Sequence, residues 1–330
     1  MSSLRSSPAS PTTRAMAADA TPSRRARRRA ARPGGDPTLF RVVSILPFVG
    51  FLLTFAIYPL VQLVRTALSD VALVDGLFSY SFDGLANFAA LGGDGRAHYS
   101  FLITAAFIAV TVPVTLVLGA ALAILVDRSV VFARVAHNIL LWPAVITPVV
   151  VSVIWFLILS PNVGVLNKVL GSLQLPTQGW LAHSLGAIGS IMLVDIWHWT
   201  PLVFLLLYSA LKGIDGELLE AARVDGASEW QVYTRVVLPL LRPAILAAAL
   251  IRLTMGAKAF DEMYLLTKGG PDGATTLVSL YIREVFFDHL ELGYGAALSV
   301  VVILAVGVAL GLALLGRKLG KLATGGVSNA

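Results

Sequence analysis

The 330-residue chain contains no cysteine, so disulfide bonds and thiolate metal sites are excluded. Charge is also scarce: Asp, Glu, Lys and Arg together make up 13% of the residues, whereas a soluble domain has about a quarter. Apolar residues make up 57%, and the mean hydropathy is +0.80. These proportions indicate that lipid, rather than water, surrounds most of the chain.

Sequence motifs of the common enzyme classes are missing as well. There is no GxxxxGKS or GxxxxGKT phosphate-binding loop, no HExxH and no GxSxG, and the five histidines lack the spacing of a metal site. The run Gly92-Gly93-Asp94-Gly95 does not open a helix after a strand, which argues against nucleotide binding there. We therefore expect no cofactor, no metal and no catalytic residue, in a chain that is not an enzyme by itself.

Six apolar segments are each long enough to cross the roughly 30 Å hydrocarbon core as a helix. The segments must be helical because lipid offers no hydrogen-bond partner to an open backbone. The sequence thus predicts an all-α, polytopic membrane protein with six transmembrane helices, its membrane domain covering residues 39–316. The predicted spans are Arg41–Ala67, Ser100–Val126, Val135–Leu159, Leu185–Leu211, Pro243–Leu266 and Leu292–Leu315.

Lysine and arginine are distributed unevenly between the segments that separate these spans. Of the 25 basic residues, 18 fall on one side and four on the other; the larger group lies in the N-terminal tail, the loop near 127–134, the segment 212–243 and the C-terminal tail. The positive-inside rule then places both tails and the segment 212–243 in the cytoplasm. Residues 317–330 form the C-terminal tail.

The N-terminal tail, residues 1–38, is rich in Ser, Ala, Pro and Arg and is expected to be disordered because it cannot bury a core. Its basic run Arg24–Arg29 has two interpretations: an arm that binds anionic lipid or nucleic acid, or a topology signal. Because the tail abuts a membrane helix, we favour the topology signal and expect no nucleic acid partner.

The segment Glu217–Pro243 is a polar, helix-forming island between two long apolar segments. Asp215 is placed to cap a first helix over about 216–224. The pair Asp225-Gly226 is placed to end that helix, because glycine accepts the left-handed conformation that helix termini often need. The island therefore begins as a short helix followed by a defined break.

A second helix follows the break. Ser228 with Gln231 fits a capping box, which marks a helix start. Pro239 and Pro243 come soon after, and proline in a helix interior removes a hydrogen bond and clashes with the preceding turn. We expect these prolines to disturb the helix and redirect the chain into the next span.

Three short runs in the island follow one another at fixed spacing: Glu220-Ala221-Ala222, Asp225-Gly226-Ala227 and Leu238-Pro239. Their order and spacing resemble the cytoplasmic EAA loop of permease subunits in ABC importers. The resemblance implies a coupling helix that docks on a separate ATP-binding subunit, and it implies that Glu220, Ala221, Ala222, Asp225, Gly226 and Pro239 are coupling residues. The alternative is an amphipathic helix lying on the membrane surface.

Other stretches resemble one branch of these importers, the carbohydrate permeases of the maltose and glycerol-3-phosphate type. They are the run SFDGLANFAAL in the loop 68–98, Gly164–Asn167, and Thr267–Pro271 after Phe260-Asp261 and Tyr264. This resemblance implies the first of two homologous permease subunits in a bacterial inner membrane. It also implies two ATP-binding subunits, an extracytoplasmic solute-binding protein, a sugar-like solute and transport by alternating access.

Polar residues in the fourth predicted span are candidates for a solute path, since such groups inside a membrane are costly and face a cavity or a partner. Asp195, His198 and Trp199 share one helix face, whereas Trp197 points roughly the other way. Asp195 lies near the midplane, about 15 Å along the span. A carboxylate beside an aromatic ring suits a sugar, but a packed polar cluster with no solute contact is equally compatible.

The fifth and third predicted spans also carry polar or helix-breaking residues. Lys258 and Asp261, in the fifth predicted span, are further candidates for the solute path. The resemblance implies that this helix contributes contacts to the solute. Lys258 and Glu262 are four residues apart, so they have the spacing to pair with each other instead. In the third span, Pro143 and Pro148 are expected to open the backbone locally.

The sequence thus favours the permease of an ATP-driven, binding-protein-dependent importer for a sugar or a related small polar solute. Two alternatives belong to other classes. An ion-coupled secondary transporter would use Asp195 and His198 as coupling groups, but it leaves the island unexplained. A membrane scaffold would need no polar groups in its spans.

Overall fold

Helices account for nearly all of the regular structure in the computed structural model, which describes residues 37–128 and 139–325. Three π-helical segments, Leu53–Ile57, Val232–Val237 and Glu284–Asp288, continue or join α-helices. In chain order the described helices are α1 (Pro37–Leu52), α2 (Tyr58–Ala67), α3 (Ala86–Gly93), α4 (Gly95–Asp127), α5 (Ile139–Val145), α6 (Pro148–Ile158), α7 (Val165–Ser172), α8 (Ser184–Lys212), α9 (Gly216–Val224), α10 (Glu229–Gln231), α11 (Leu238–Ala257), α12 (Asp261–Leu266), α13 (Val278–Arg283) and α14 (Leu292–Gly325).

Within the described residues, five continuous helical stretches are long and apolar enough to cross a membrane. A sixth is added if the pair α5 and α6, bent by 110° at its break, counts as one span. The five are Val43–Ala67, Gly95–Asp127, Ser184–Lys212, Glu229–Ala257 and Leu292–Gly316. The predicted tail of residues 1–38, the loop near 127–134 and the predicted start of the third span at Val135 lie wholly or partly outside the described residues.

The chain divides into two compact units, Met1–Pro59 and Leu60–Ala330. The first unit contains α1 and the π-helical turn that follows it. The helix α2 begins two residues before the boundary, and the second unit contains the rest of it and every later element. Its centre is α8, the most buried of the candidate spans.

Close approach of α4 and α8 depends on a glycine. A Cβ atom at Gly119 would lie 2.6 Å from Cγ1 of Val203, so only glycine fits at this crossing. Buried side chains on both sides of it, among them Ala123, Phe204 and Leu207, form a continuous cluster. In lipid, where apolar surface gains nothing by leaving the solvent, this close van der Waals packing is what holds helices together.

The third predicted span is broken where its prolines indicated. α5 ends at Val145 and α6 begins at Pro148, with Thr147 in extended conformation between them. Pro148 occupies the start of α6, the position where its missing N–H costs no helix hydrogen bond. The prediction that the backbone opens is confirmed at Pro148, whereas Pro143 lies within α5.

The fifth predicted span has different bounds from those expected. A single helical stretch runs from Glu229 to Ala257, so Pro239 and Pro243 neither end it nor redirect it. The π-helical turn Val232–Val237 lies directly before Pro239, where the regular α-helical hydrogen-bond ladder is already interrupted. The helix stops at Ala257, and residues 261–266 form the separate helix α12.

One antiparallel hairpin, β1 (Ser69–Val74) and β2 (Leu77–Phe82), departs from the all-α prediction in the described part of the chain. Asp75 and Gly76 form its two-residue turn, with φ of 52° and 79°. Both values lie in the left-handed region that a type I′ turn requires. The dipeptide Asp-Gly between apolar runs is a signal from which this hairpin could have been predicted.

Candidate functional site

The first candidate site is the island between α8 and α11, whose shape is set by its own hydrogen bonds. Oδ1 of Asp215 accepts the backbone N–H of Glu217 at 3.0 Å and so caps α9. At the other end of α9, the N–H of Gly226 reaches the carbonyl of Arg223, and the N–H of Ala227 reaches that of Ala222, both at 3.0 Å. These two bonds form a Schellman motif.

Gly226 makes this motif possible because its φ is +83°, a conformation that side chains bearing Cβ rarely adopt. The next helix starts at once. The backbone N–H of Ser228 donates to Oε1 of Gln231 at 2.8 Å, and the N–H of Gln231 donates to Oγ of Ser228 at 3.4 Å. The predicted capping box and both predicted helix ends are therefore confirmed.

An ion pair joins the two helices of the island across the break. Nε of Arg223 lies 2.7 Å from Oε1 of Glu229. The hydrogen bond that Arg223 donates to Glu229 raises the pKa of Arg223. Both side chains are exposed, so the pair orients the two helices more than it stabilises them.

The two faces of the island differ in what they contact. Leu219, Ala222 and Ala227 pack onto a buried cluster that includes Tyr233 and Val237. Three large apolar side chains of the island are exposed instead: Leu218 at 51%, Val224 at 87% and Trp230 at 75%. An apolar, exposed surface of this kind is typical of a docking site for another protein.

The predicted coupling residues divide between these faces. Glu220, Ala221, Asp225 and Gly226 are exposed. Ala222 instead packs inward, so its small side chain sets how closely α9 approaches the spans. Pro239 is half-buried and belongs to α11. The most exposed of the large apolar side chains in the island, Val224 and Trp230, were not among the predicted residues.

The second candidate site is a buried polar cluster between α8, α11 and α12. Nη2 of Arg252 lies 2.5 Å from Oδ2 of Asp195, and the two side chains are 1% and 2% exposed. Nε and Nη1 of Arg252 have no hydrogen-bond partner among the described residues. Removing two charges from water is costly, so each depends on the other to remain buried.

His198 connects the break in the third span to α12. Its Nε2 lies 3.3 Å from the carbonyl oxygen of Ile146, which sits in the break, and its Nδ1 lies 3.3 Å from Oε1 of Glu262. The imidazole is 1% exposed and stacks on Trp199, with ring centroids 4.5 Å apart. His198 thus supplies a partner to a backbone group that the break leaves without a helix hydrogen bond.

His198 and Glu262 extend the buried polar cluster beyond the Asp195–Arg252 pair. A carbonyl oxygen only accepts hydrogen bonds, whereas the two imidazole nitrogens include at least one donor. The cluster therefore brings hydrogen-bond donors and acceptors together inside the spans.

The structure brings together three of the five residues predicted for the solute path: Asp195, His198 and Trp199. Lys258 is exposed after the end of α11, and no ion pair joins it to Glu262 in the described chain. The predicted Lys258–Glu262 pair is wrong because the helix ends at Ala257, which breaks the four-residue spacing. Asp261 is half-buried and has no hydrogen bond or ion pair among the described side chains.

Two members of the cluster, Arg252 and Glu262, were missing from the predicted solute-path residues. Arg252 is fully buried in the stretch of α11 after Arg242, where nearly all the other residues are apolar, and Glu262 is 4% exposed. An isolated arginine inside an apolar segment signals a buried partner of opposite charge. That signal is present in the sequence, but it does not identify Asp195 as the partner.

A further polar centre lies at the N-terminal end of α4. Asp94 accepts the backbone N–H groups of Arg96 and Ala97, and its Oδ2 accepts the hydroxyls of Tyr281 at 2.6 Å and Tyr294 at 2.5 Å. Burial works to raise the pKa of Asp94, but the hydrogen bonds outweigh it and hold the pKa below the ordinary carboxyl value. This centre joins α4 to α13 and α14.

Comparison with known proteins places these features in a family. The family model described as "Binding-protein-dependent transport system inner membrane component" matches residues 115–318. The trehalose/maltose transport system permease protein MalF of Thermococcus litoralis is 30% identical over 265 residues, covering 80% of this chain and 88% of the relative. The trehalose transport system permease protein SugA of Mycobacterium tuberculosis is 33% identical over 228 residues, covering 69% of this chain and 72% of the relative.

A solved structure has the same fold. It is a chain of a bacterial alginate ABC transporter, crystallised in complex with a periplasmic protein that binds an alginate pentasaccharide. The TM-score is 0.75 at 21% identity, and the match covers 86% of this chain and 96% of the other. The helical arrangement described above is therefore shared over nearly the whole of that chain.

Proposed function

The chain belongs to the family of binding-protein-dependent transport system inner membrane components, and we propose that it is one of two homologous permease subunits in an ATP-driven importer. Membership in this family makes it a transport component rather than an enzyme. Separate ATP-binding subunits hydrolyse ATP, which agrees with the lack of a phosphate-binding loop in the sequence. An extracytoplasmic binding protein delivers the solute.

The observation that carries this proposal is the island with its exposed apolar face. α9 is held at both ends by its own hydrogen bonds and presents Leu218 and Val224 outward. A short amphipathic helix of this kind fits a hydrophobic groove on a partner protein. The ATP-binding subunits supply that groove, and their closure moves the island and, with it, the spans.

We place the chain in the bacterial inner membrane with both tails and the island in the cytoplasm. The uneven distribution of basic residues supports this orientation, because cytoplasmic loops attract Lys and Arg. It puts the exposed face of α9 on the side where ATP is available. The hairpin β1–β2 and the loop after α12 then face the extracytoplasmic binding protein.

The proposed solute is a sugar or a related small polar molecule, moved by alternating access. Relatives named for trehalose, maltose and diacetylchitobiose support this class. The cluster of Asp195, His198 and Trp199 suits a polyhydroxyl solute, because it offers hydrogen-bond donors, acceptors and an aromatic ring. Lys258 and Asp261, predicted for the same path, contribute to it as the path opens.

Affinity purification of the tagged chain in mild detergent, followed by mass analysis, tests the proposal. We expect a P-loop ATPase and a second permease of similar size to co-purify in equal amounts. A stable lone chain or homodimer without an ATPase would overturn it and favour ion-coupled transport. That alternative has less support, because the carboxylate of Asp195 is already paired with Arg252.

A further inference from the structure

The last turn of α4 contacts the chain on both sides of α9. Nζ of Lys212, the final residue of α8, lies 2.6 Å from Oδ1 of Asp127. Arg128, which follows Asp127 directly in the sequence, places its guanidinium carbon 4.4 Å from the ring centroid of Tyr233. Lys212 precedes the cap of α9 by three residues, and Tyr233 follows the capping box of the next helix.

These two contacts bracket the island. The chain between them contains α9, the Schellman turn at Gly226 and α10. Its inward side chains Leu219, Ala222 and Ala227 pack onto a buried cluster, and the two contacts tie its flanks to the end of α4 as well. Tyr233 is 7% exposed and packs within the cluster that also holds Leu219 and Ala222. A single attachment would let the island pivot, whereas two attachments to one helix end fix its orientation.

We propose that Asp127 and Arg128 form a clamp that holds both flanks of the island on α4, so that α4 moves with the island as one body. The inference rests on the proposed function, in which the ATP-binding subunits move the island. It assigns a positioning role to two residues outside the coupling motif. It also names α4, rather than only the adjoining α8 and α11, as a receiver of the movement.

The length and contacts of α4 explain why it suits this role. With 33 residues, α4 extends for roughly 50 Å and reaches the opposite end of the membrane domain. There, Oγ1 of Thr104 accepts the backbone N–H of Val278 at 2.9 Å, and Asp94 binds the hydroxyl of Tyr281. A displacement applied at the clamp is therefore delivered to the elements around α13.

The lack of cysteine allows a direct test in the complete complex. Cysteines introduced as Glu217→Cys, on the island, and Leu102→Cys, on an exposed position of α4, are the only thiols of this chain. They carry spin labels in a complex assembled with partner subunits whose own cysteines have been replaced. The distance between the labels is measured without nucleotide and after trapping with ATP and vanadate. With the clamp intact, we expect one narrow distance distribution that trapping leaves unchanged.

In the double variant Asp127→Asn/Arg128→Gln, we expect the distribution to broaden and to shift on trapping. The separate variant Asp127→Lys/Lys212→Asp exchanges the two charges and so keeps an ion pair at this position. The variant Tyr233→Phe keeps the ring that Arg128 contacts. Both variants should show the narrow distribution. The matched control is Arg283→Gln/Asp288→Asn, which removes a different ion pair of 2.7 Å far from the clamp. It should leave the distribution as it was.

The outcomes separate the clamp from the proposed function. If ATP-binding subunits co-purify and the double variant behaves like the unaltered chain, the clamp is wrong and the importer stands. A distance that already shifts on trapping in the unaltered chain also overturns the clamp. If no ATP-binding subunit is present, the proposed function fails first. An unchanged thermal midpoint in the double variant shows that the chain is still folded, so a broadened distribution then reports lost clamping. The single variant Arg128→Gln, which removes only the contact with Tyr233, is the milder change should the double variant fail to fold.

Discussion

The island and the buried cluster are both polar, but the residues in contact are close in sequence in the island and far apart in sequence in the cluster. In the island, the capping bonds and the Arg223–Glu229 pair join residues at most six positions apart. In the cluster, Asp195 and Arg252 are 57 positions apart, and His198 reaches 52 and 64 positions to Ile146 and Glu262. The island is exposed, whereas the cluster is buried.

This difference decides what each region can tolerate. A lost contact in the island is replaced by water, so its cost is small and its consequences are functional. A lost contact in the cluster leaves a buried group without a partner, and the cost falls on the folded state itself.

The largest effect is expected from Asp195→Ala. The change leaves the buried charge of Arg252 without a partner, and breaking a buried ion pair in this way costs about 3–5 kcal/mol of stability. The thermal midpoint and the yield of monodisperse protein in detergent measure it. The double variant Asp195→Leu/Arg252→Met, which removes both charges, should recover most of the loss. Equal instability of the single and double variants would contradict the pairing.

The next effect is expected from His198→Leu, which leaves the Ile146 carbonyl and the Glu262 carboxyl without partners. Each buried group left unpaired costs about 1–3 kcal/mol. Hydrogen exchange at the start of α6 should rise, because the break loses the side chain that holds it. His198→Gln keeps a donor for the carbonyl and is the matched control; protection equal to that of His198→Leu would count against the contact with Ile146.

Gly226→Pro tests the island. Proline fixes φ near −65°, whereas Gly226 has +83°, so the Schellman turn cannot form. Even alanine in the left-handed region costs about 1–2 kcal/mol, but the segment is exposed and the spans should remain folded. We expect transport to be lost while the thermal midpoint changes little. Gly216→Ala, where an added Cβ meets nothing within 4 Å, is the control; unchanged uptake in Gly226→Pro would argue against coupling through this turn.

The smallest effect is a pH dependence at Asp94, whose contacts are long-range but only partly buried. Because its pKa is lowered on folding, its ionised form contributes stability that is present at neutral pH and is lost as pH falls through the lowered pKa. We expect less than about 1 kcal/mol, given the exposure. The thermal midpoint of Asp94→Asn should match that of the unaltered chain only in acid; a constant difference at all pH values would argue against ionisation as the cause.

Much of the fold was predictable because its signals are local. Long apolar runs identified the spans, Pro143 and Pro148 indicated the break, and Asp215, Gly226 and Ser228 marked the helix ends. The bounds of the fifth span were wrong at both ends: Pro239 and Pro243 were expected to redirect the chain into the span, but the helical stretch continues through them from Glu229, and it stops at Ala257. The hairpin was missed although Asp75-Gly76 is a strong turn signal.

The partners inside the cluster were not predictable in the same way. Sequence spacing suggested that Glu262 pairs with Lys258, but folding places it against His198, 64 positions away. Which buried groups meet is decided by how α8, α11 and α12 pack, and hydrophobic periodicity does not contain that information. Assignment of Asp195, His198 and Trp199 to a solute path stays a prediction.

The island keeps the residues that define its shape separate from those that face outward. Asp215, Gly226 and Ser228 close its backbone hydrogen bonds, whereas Leu218, Val224 and Trp230 contribute nothing to that closure. Mutations at the outward positions can therefore accumulate over generations without unfolding the segment. A lineage of such chains can change its choice of motor protein by altering a few surface side chains, while the scaffold that presents them is inherited intact.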